Sequence, residues 1–298
     1  MGAMRSRHLG LLALAVLAVS SSAILIRLAE APALAVSFYR CAMAAAVLLP
    51  IALLRHGAEV RSLGRRQWIV AMASAAALAA HFALWVPSLS YTSVAASTVL
   101  VTSSPVWVAL LGRITIGERV SRVGAAGIAL SLAGAAVISW GDVGVSARAA
   151  LGDALALAGA IAAAAYVLAG RDLRQRMTLF TYAGIVYTGA AALLGAAMLV
   201  TRTPFTGYPP DIWGLFVLMT LGPQLLGHTV FNYLLADVEA SVVAISVTAE
   251  PVGASLLALA VFGEVPSVSA VAGGVLILGG IYVTIAGQAR ARVEIQAE

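Results

Sequence analysis

Charge is scarce in this sequence: only 10% of its 298 residues are Asp, Glu, Lys or Arg, against roughly 25% in an ordinary soluble domain. So few ionised side chains cannot cover a water-exposed surface, and a soluble globular domain is excluded. Cysteine occurs once, at Cys41, which excludes an internal disulfide framework and a cysteine-based metal cluster. Lysine does not occur at all, so every basic residue other than the four His is Arg. The short motifs of chemistry are missing too. There is no HExxH, no Walker loop, no pair of acids at membrane depth and no recognisable Ser-His pair. No catalytic residue, metal-ligand set or cofactor is therefore assigned.

What is present is apolar: 61% of the residues are hydrophobic. A spanning helix needs about 20 mostly apolar residues, and ten such runs can be drawn, over 9–28, 34–54, 68–89, 94–114, 123–140, 151–170, 179–200, 212–235, 241–262 and 268–286. The expected fold is an all-α membrane protein of ten transmembrane helices. Residues 29–31 after the first run mimic a signal-peptide cleavage site, but the run is too long for such a peptide and Pro32 follows at once. Arginine placement gives the orientation. With the N-terminus inside, the inner segments hold Arg5 and Arg7, then Arg55, Arg61, Arg65 and Arg66, then Arg113, Arg119 and Arg122, then Arg171, Arg174 and Arg176, and finally Arg290 and Arg292. The outer loops keep Arg148 and Arg202, with Arg27 near the outer end of the first run. Both termini are thus expected in the cytoplasm. The net charge of +5 is a topology signal and does not point to nucleic acid.

The chain is also duplicated. Sliding it by 146 residues lays 95–118 on 241–264, so that Val101 meets Val247, Thr102 meets Thr248, Pro105 meets Pro251, and Gly117-Glu118 meets Gly263-Glu264. The register continues with Gly127 on Gly273, Leu132 on Leu278 and Gly134 on Gly280, while Ser104 stands where the later half has Glu250. This reads as two five-helix repeats, 1–143 and 144–298. Five is odd, so the second repeat enters the membrane from the opposite side. In such inverted repeats the substrate site lies near the midplane, often at interrupted helices. Pro105 and Pro251 supply the interruptions, as hinges or as simple packing kinks.

Polar residues gather on two faces. The third run carries Ser74, His81, Trp85 and Ser88 on one side of a helix. The eighth carries Gln224, His228 and Asn232 at successive steps of four, with His228 one position from the duplicate image of His81. Such stripes either line a cavity or hydrogen-bond between helices. Two charges lie too deep to reach an interface, Arg40 in the second run and Glu250 in the ninth. An ionised side chain costs ~2.5–3.5 kcal/mol at the bilayer centre on insertion scales. Pro251 beside Glu250 frees the carbonyl of Val247, a defect tolerated only where the helix faces protein or a wet cavity. Arg40 can hold a substrate carboxylate through its planar fork, or close an ion pair with Glu250 or a helix C-terminus. Tyr39, Trp85, Trp107, Tyr166, Tyr182 and Tyr187 lie at depth and could wall a pocket or equally face lipid or the core. Trp68, Trp140, Tyr208 and Trp213 sit at run ends, where an interface belt is expected. The glycines seven apart in the fifth and tenth runs let helices approach closely.

The twice-repeated Pro-to-Gly-Glu pattern, the glycine-bearing helix after each copy, and the Arg of Phe38-Tyr39-Arg40 resemble the EamA family of the drug/metabolite transporter superfamily, over roughly 9–287. The pattern is most similar to that of the bacterial aromatic amino acid exporters. Ser20-Ser21-Ser22 departs from the Trp-Gly signature that many relatives carry in the first helix. The resemblance implies a multi-pass secondary transporter of the bacterial inner membrane, exporting aromatic or other neutral amino acids and related metabolites by alternating access. An exporter of unrelated drugs or metabolites, a membrane-embedded enzyme and a structural subunit are the alternatives. The expected substrate contacts are His81, Trp85, His228, Asn232, Arg40, Gln224, Tyr39, Tyr166, Tyr182 and Glu250, with hinges at Pro105 and Pro251. The expected partners are a small-molecule substrate and the lipid bilayer. Proton exchange stays open, since His81, His228 and Glu250 could titrate or merely hydrogen-bond. A monomer and a homodimer both fit.

Overall fold

The computed structural model describes residues 6–116, 122–143, 146–234, 247 and 249–297. Every regular element among the described residues is helical. In chain order these are α1 (Ser6–Ser20), α2 (Ser22–Leu28), α3 (Ala33–Ser62), α4 (Arg65–Ser88), α5 (Val94–Val101), α6 (Ser104–Ile116), α7 (Arg122–Val143), α8 (Ala147–Arg174), α9 (Leu179–Thr201) and α10 (Pro210–Met219). A π-helical segment (Thr220–His228) follows, then α11 (Thr229–Leu234), α12 (Glu250–Phe262) and α13 (Val268–Ala297). Among the described residues, seven stretches are long and apolar enough to cross a bilayer, and three shorter apolar helices, Arg122–Ile138, Glu250–Phe262 and Val268–Thr284, accompany them.

Three apolar runs that read as continuous helices are broken, each for a local reason. The first breaks at Ser21, whose hydroxyl turns back on the carbonyl of Ala18 at 2.7 Å; such hydroxyls compete with the helix ladder. The fourth breaks between Val101 and Ser104, because Pro105 has no N–H to offer Val101 and disfavours helical geometry at the residue before it. Hydroxyls occupy carbonyls around this break: Thr102 Oγ1 donates to Thr98 at 2.8 Å and Ser103 Oγ to Leu100 at 2.6 Å. The eighth widens into the π segment around Pro223. The second run, by contrast, is longer than its apolar pattern. α3 bends at His56 (φ −125°, ψ 22°) and continues to Ser62. The extension places Glu59 over the start of α9, where its carboxylate accepts from Thr178 N at 2.6 Å, Thr178 Oγ1 at 2.7 Å and Thr181 Oγ1 at 2.8 Å.

The most extensive helix contacts are α7 with α13, α3 with α9, and α4 with α8. The α7–α13 seam depends on glycine. A Cβ on Gly127 would come within 2.6 Å of the Gly280 carbonyl, and one on Gly134 within 2.6 Å of the Gly273 carbonyl. The pairs 127 with 280 and 134 with 273 run in opposite senses, so the helices are antiparallel. Each glycine meets the residue 146 positions from the other, a self-complementary contact. Ser131 Oγ donates to its own image, the Ile277 carbonyl, at 3.2 Å.

Candidate functional site

Arg40 lies about 10 Å along α3 from its start and is fully buried. Its Nε donates to Gln224 Oε1 at 3.0 Å and its Nη1 to Ser22 Oγ at 3.4 Å. The guanidinium stands 4.0 Å over the Phe82 ring, a contact worth roughly 2 kcal/mol or more when desolvated. Its Nη2 is buried with no hydrogen-bond acceptor among the described residues. Glu250, 6% exposed at the first residue of α12, makes no ion pair with it. A buried cation is thus held by neutral oxygens and an aromatic face, with both N–H groups of Nη2 unspent. Such an arrangement is costly unless an anion completes it.

The π segment aims Gln224 at Arg40. Pro223 cannot return an N–H to Met219, and the helix responds by lengthening its turns. Thr229 returns both its N–H and its Oγ1, the latter at 3.0 Å, to the Gln224 carbonyl five residues back. Tyr187 OH ties the same hydroxyl to α9 at 3.1 Å. Widening also breaks up the stripe that steps of four describe on a regular helix. Gln224 reaches Arg40, His228 is half-buried with its ring 6.4 Å from Phe82, and Asn232 donates to Tyr166 OH at 3.1 Å.

His81 and Trp85 share a face of α4, as their spacing requires, but that face meets α8. His81 Nδ1 donates to the Gly159 carbonyl at 2.9 Å. Because a carbonyl can only accept, this bond fixes the proton on Nδ1 in the neutral ring and leaves Nε2 an acceptor. Trp85 stacks on His81 with ring centres 5.8 Å apart, and its Nε1 is buried without an acceptor. Gly159 makes room, since a Cβ there would lie 3.1 Å from Trp85 Cβ. Phe82, on another face of α4, supplies the contact to Arg40.

A second polar cluster joins Ser74, Tyr166, Tyr182 and Asn232. Ser74 Oγ and Tyr182 OH are 3.0 Å apart, and the Tyr166 and Tyr182 rings stack at 6.4 Å. Tyr182 presses on Gly170, where a Cβ would clash with its hydroxyl at 2.2 Å. Here the hydrogen bonds close on one another. Tyr39 joins neither cluster. Its hydroxyl donates to the Phe205 carbonyl, and its ring packs 4.8 Å from both Trp213 and Phe216. Tyr208 and Trp213 belong to this aromatic group, whereas Trp140 is 83% exposed. Ser88, from the same stripe as His81, is spent on the Trp85 carbonyl and on Ser97. Pro105 is the second residue of α6 and Pro251 of α12. Sequence reasoning missed Phe82, Thr229 and Gly159, and saw Ser22 only as a departure from a signature. An apolar groove of about 620 Å³ between α3 and α9, lined by Ala42, Ala45, Leu49, Ala192, Gly195 and their neighbours, does not include Arg40.

The EamA-like transporter family model matches this chain twice, over residues 7–140 and 150–286. A relative from Archaeoglobus fulgidus, named an uncharacterized transporter, is 25% identical over 96% of this chain and 99% of its own length. A probable terminal-alkyne amino-acid exporter of Streptantibioticus cattleyicolor is 28% identical over 62% of each chain. A crystal structure with 21% sequence identity superposes with a TM-score of 0.67, covering 94% of this chain and 98% of the other, and so shares the fold.

Proposed function

Because this chain belongs to the EamA-like transporter family, we propose that it is a secondary transporter that exports amino acids and related carboxylates by alternating access. The observation that carries the substrate class is Arg40: a buried guanidinium with a free Nη2 and, among the described residues, no acid within ion-pair distance is built to receive an anion through its fork. Phe82, Gln224, Ser22 and the half-buried His228 form the walls around it, and an aromatic or aliphatic side chain would lie among them. The chain would cross the inner membrane ten times as two inverted halves, 1–143 and 144–298, with both termini cytoplasmic. The self-complementary α7–α13 seam supports that symmetry, and the arginine distribution supports that orientation. The relative named as an amino-acid exporter points to the same cargo.

Purified protein in liposomes tests this directly. A panel of aromatic and other neutral amino acids, their decarboxylated amines and unrelated organic cations is presented at two external pH values, the second revealing any proton coupling. Carboxylate-bearing compounds should move faster than in protein-free liposomes. Transport of the amines or cations without the carboxylates would overturn the substrate class.

A further inference from the structure

The Gly-Glu pair that closes α12 has no part in the site around Arg40, yet it ties three helix ends together. Gly263 ends α12 in the left-handed conformation (φ 66°), returning its N–H to Leu259 at 3.0 Å while Glu264 returns its own to Ala258 at 3.3 Å. A Cβ at Gly263 would meet nothing, so glycine serves the backbone turn there and not close packing. The turn directs the Glu264 side chain across the molecule. One carboxylate oxygen accepts from the first N–H of α5, Val94, at 2.7 Å, and the other pairs with Arg27 in the last turn of α2. Arg27 also lies over the Phe262 ring, 5.2 Å from its centre. Ser93 caps the third N–H of α5, accepting from Ala96 N at 3.0 Å. One carboxylate therefore neutralises a helix N-terminus and an arginine at once.

We infer that Glu264 is the latch of a gate: its contacts with Arg27 and Val94 hold shut the end of the molecule formed by α2, α5 and α12, and must break in every transport cycle. This rests on the transporter reading above. The latch bridges the two halves of the duplication at the ends of elements that Ser21, Pro105 and Pro251 already interrupt. Its parts are partly solvated, with side-chain exposures of 32% for Arg27 and 21% for Glu264, so water can replace the bond at little cost. The glycine seam of α7 and α13 also bridges the halves, but parting it would open bare backbone. The two junctions thus divide the work, a fixed seam and a breakable clasp. The buried side of the clasp is apolar, where Ile26, Val94, Ala254 and Ala258 belong to one packed cluster.

The test is a reversible cross-link. Cys41 is buried and is replaced by Ala; Arg27→Cys and Glu264→Cys are then introduced together and joined with a bifunctional methanethiosulfonate. Cross-linked protein should lose transport and regain it on reduction, while either single-cysteine variant treated alike keeps transporting. Full transport by protein shown by mass spectrometry to be linked would overturn the latch and leave the transporter reading intact. A preparation that carries no substrate before cross-linking is answered by a second measurement that needs none. With Ala258→Cys as the only cysteine, Glu264→Gln should raise its labelling by a membrane-impermeant thiol reagent about threefold, the weight of one partly solvated ion pair. An unchanged labelling rate would overturn the latch.

Discussion

The cluster around Arg40 and the cluster around Tyr182 are both buried, both polar and both built from several helices, yet they are finished to different degrees. In the second, Ser74, Tyr182, Tyr166 and Asn232 hydrogen-bond among themselves, and the rings fill the space up to Gly170. In the first, Arg40 has more donors than its neighbours have acceptors, and Nη2 is left over. A network satisfied from within stabilises a fold, whereas one left short of an acceptor destabilises it until a ligand arrives. The difference separates a joint between helices from a place for cargo, although composition alone would call both polar stripes.

That contrast is sharpest at Arg40. Arg40→Gln should lower flux about 100-fold, the loss of one strong charge-assisted contact, and should leave the melting temperature unchanged or raised, because an unpaired buried charge has been removed. Flux retained with a lowered melting temperature would place Arg40 with the joints. Gln224→Leu comes next: flux should fall about tenfold and stability should fall with it, since a hydrogen bond to a charged group is lost. Initial rates in liposomes and thermal unfolding in detergent measure both. His228→Ala should cost flux about threefold at constant stability, in keeping with a half-buried ring facing Phe82 at the margin of the site. The smallest effect on flux belongs to Tyr182→Phe, which should transport within about twofold of the parent while losing about 1 kcal/mol of stability. If Tyr182→Phe impaired flux as much as Arg40→Gln, the two clusters would be one site.

Much of the fold was legible because membrane spans are long and their punctuation is chemical. Pro105 announced the break that separates α5 from α6, and the glycines of the fifth and tenth runs announced a close approach of helices without naming the partner, which is α7 for α13. The break at Ser21 carries neither Pro nor Gly, only serines free to bond their own backbone. The π segment was not readable either, since Pro223 signals a disturbance without saying whether the helix kinks or widens. Arg40 and Gln224 could be picked out by the cost of burying them. Phe82 could not, because a phenylalanine in an apolar run costs nothing to bury and reveals no partner. Spacing correctly put His81 and Trp85 on one face of α4, but periodicity does not say which helix that face will meet, and it meets α8 at Gly159.

The most direct test asks whether Arg40 is what recognises the substrate's carboxylate. Transport of an amino acid and of its carboxamide analogue is measured in liposomes for the parent and for Arg40→Gln, closing a double-difference cycle between protein and substrate. The parent should favour the carboxylate by about tenfold or more, and Arg40→Gln should treat the two compounds alike. An Arg40→Gln variant that keeps the parent's preference for the carboxylate would contradict it.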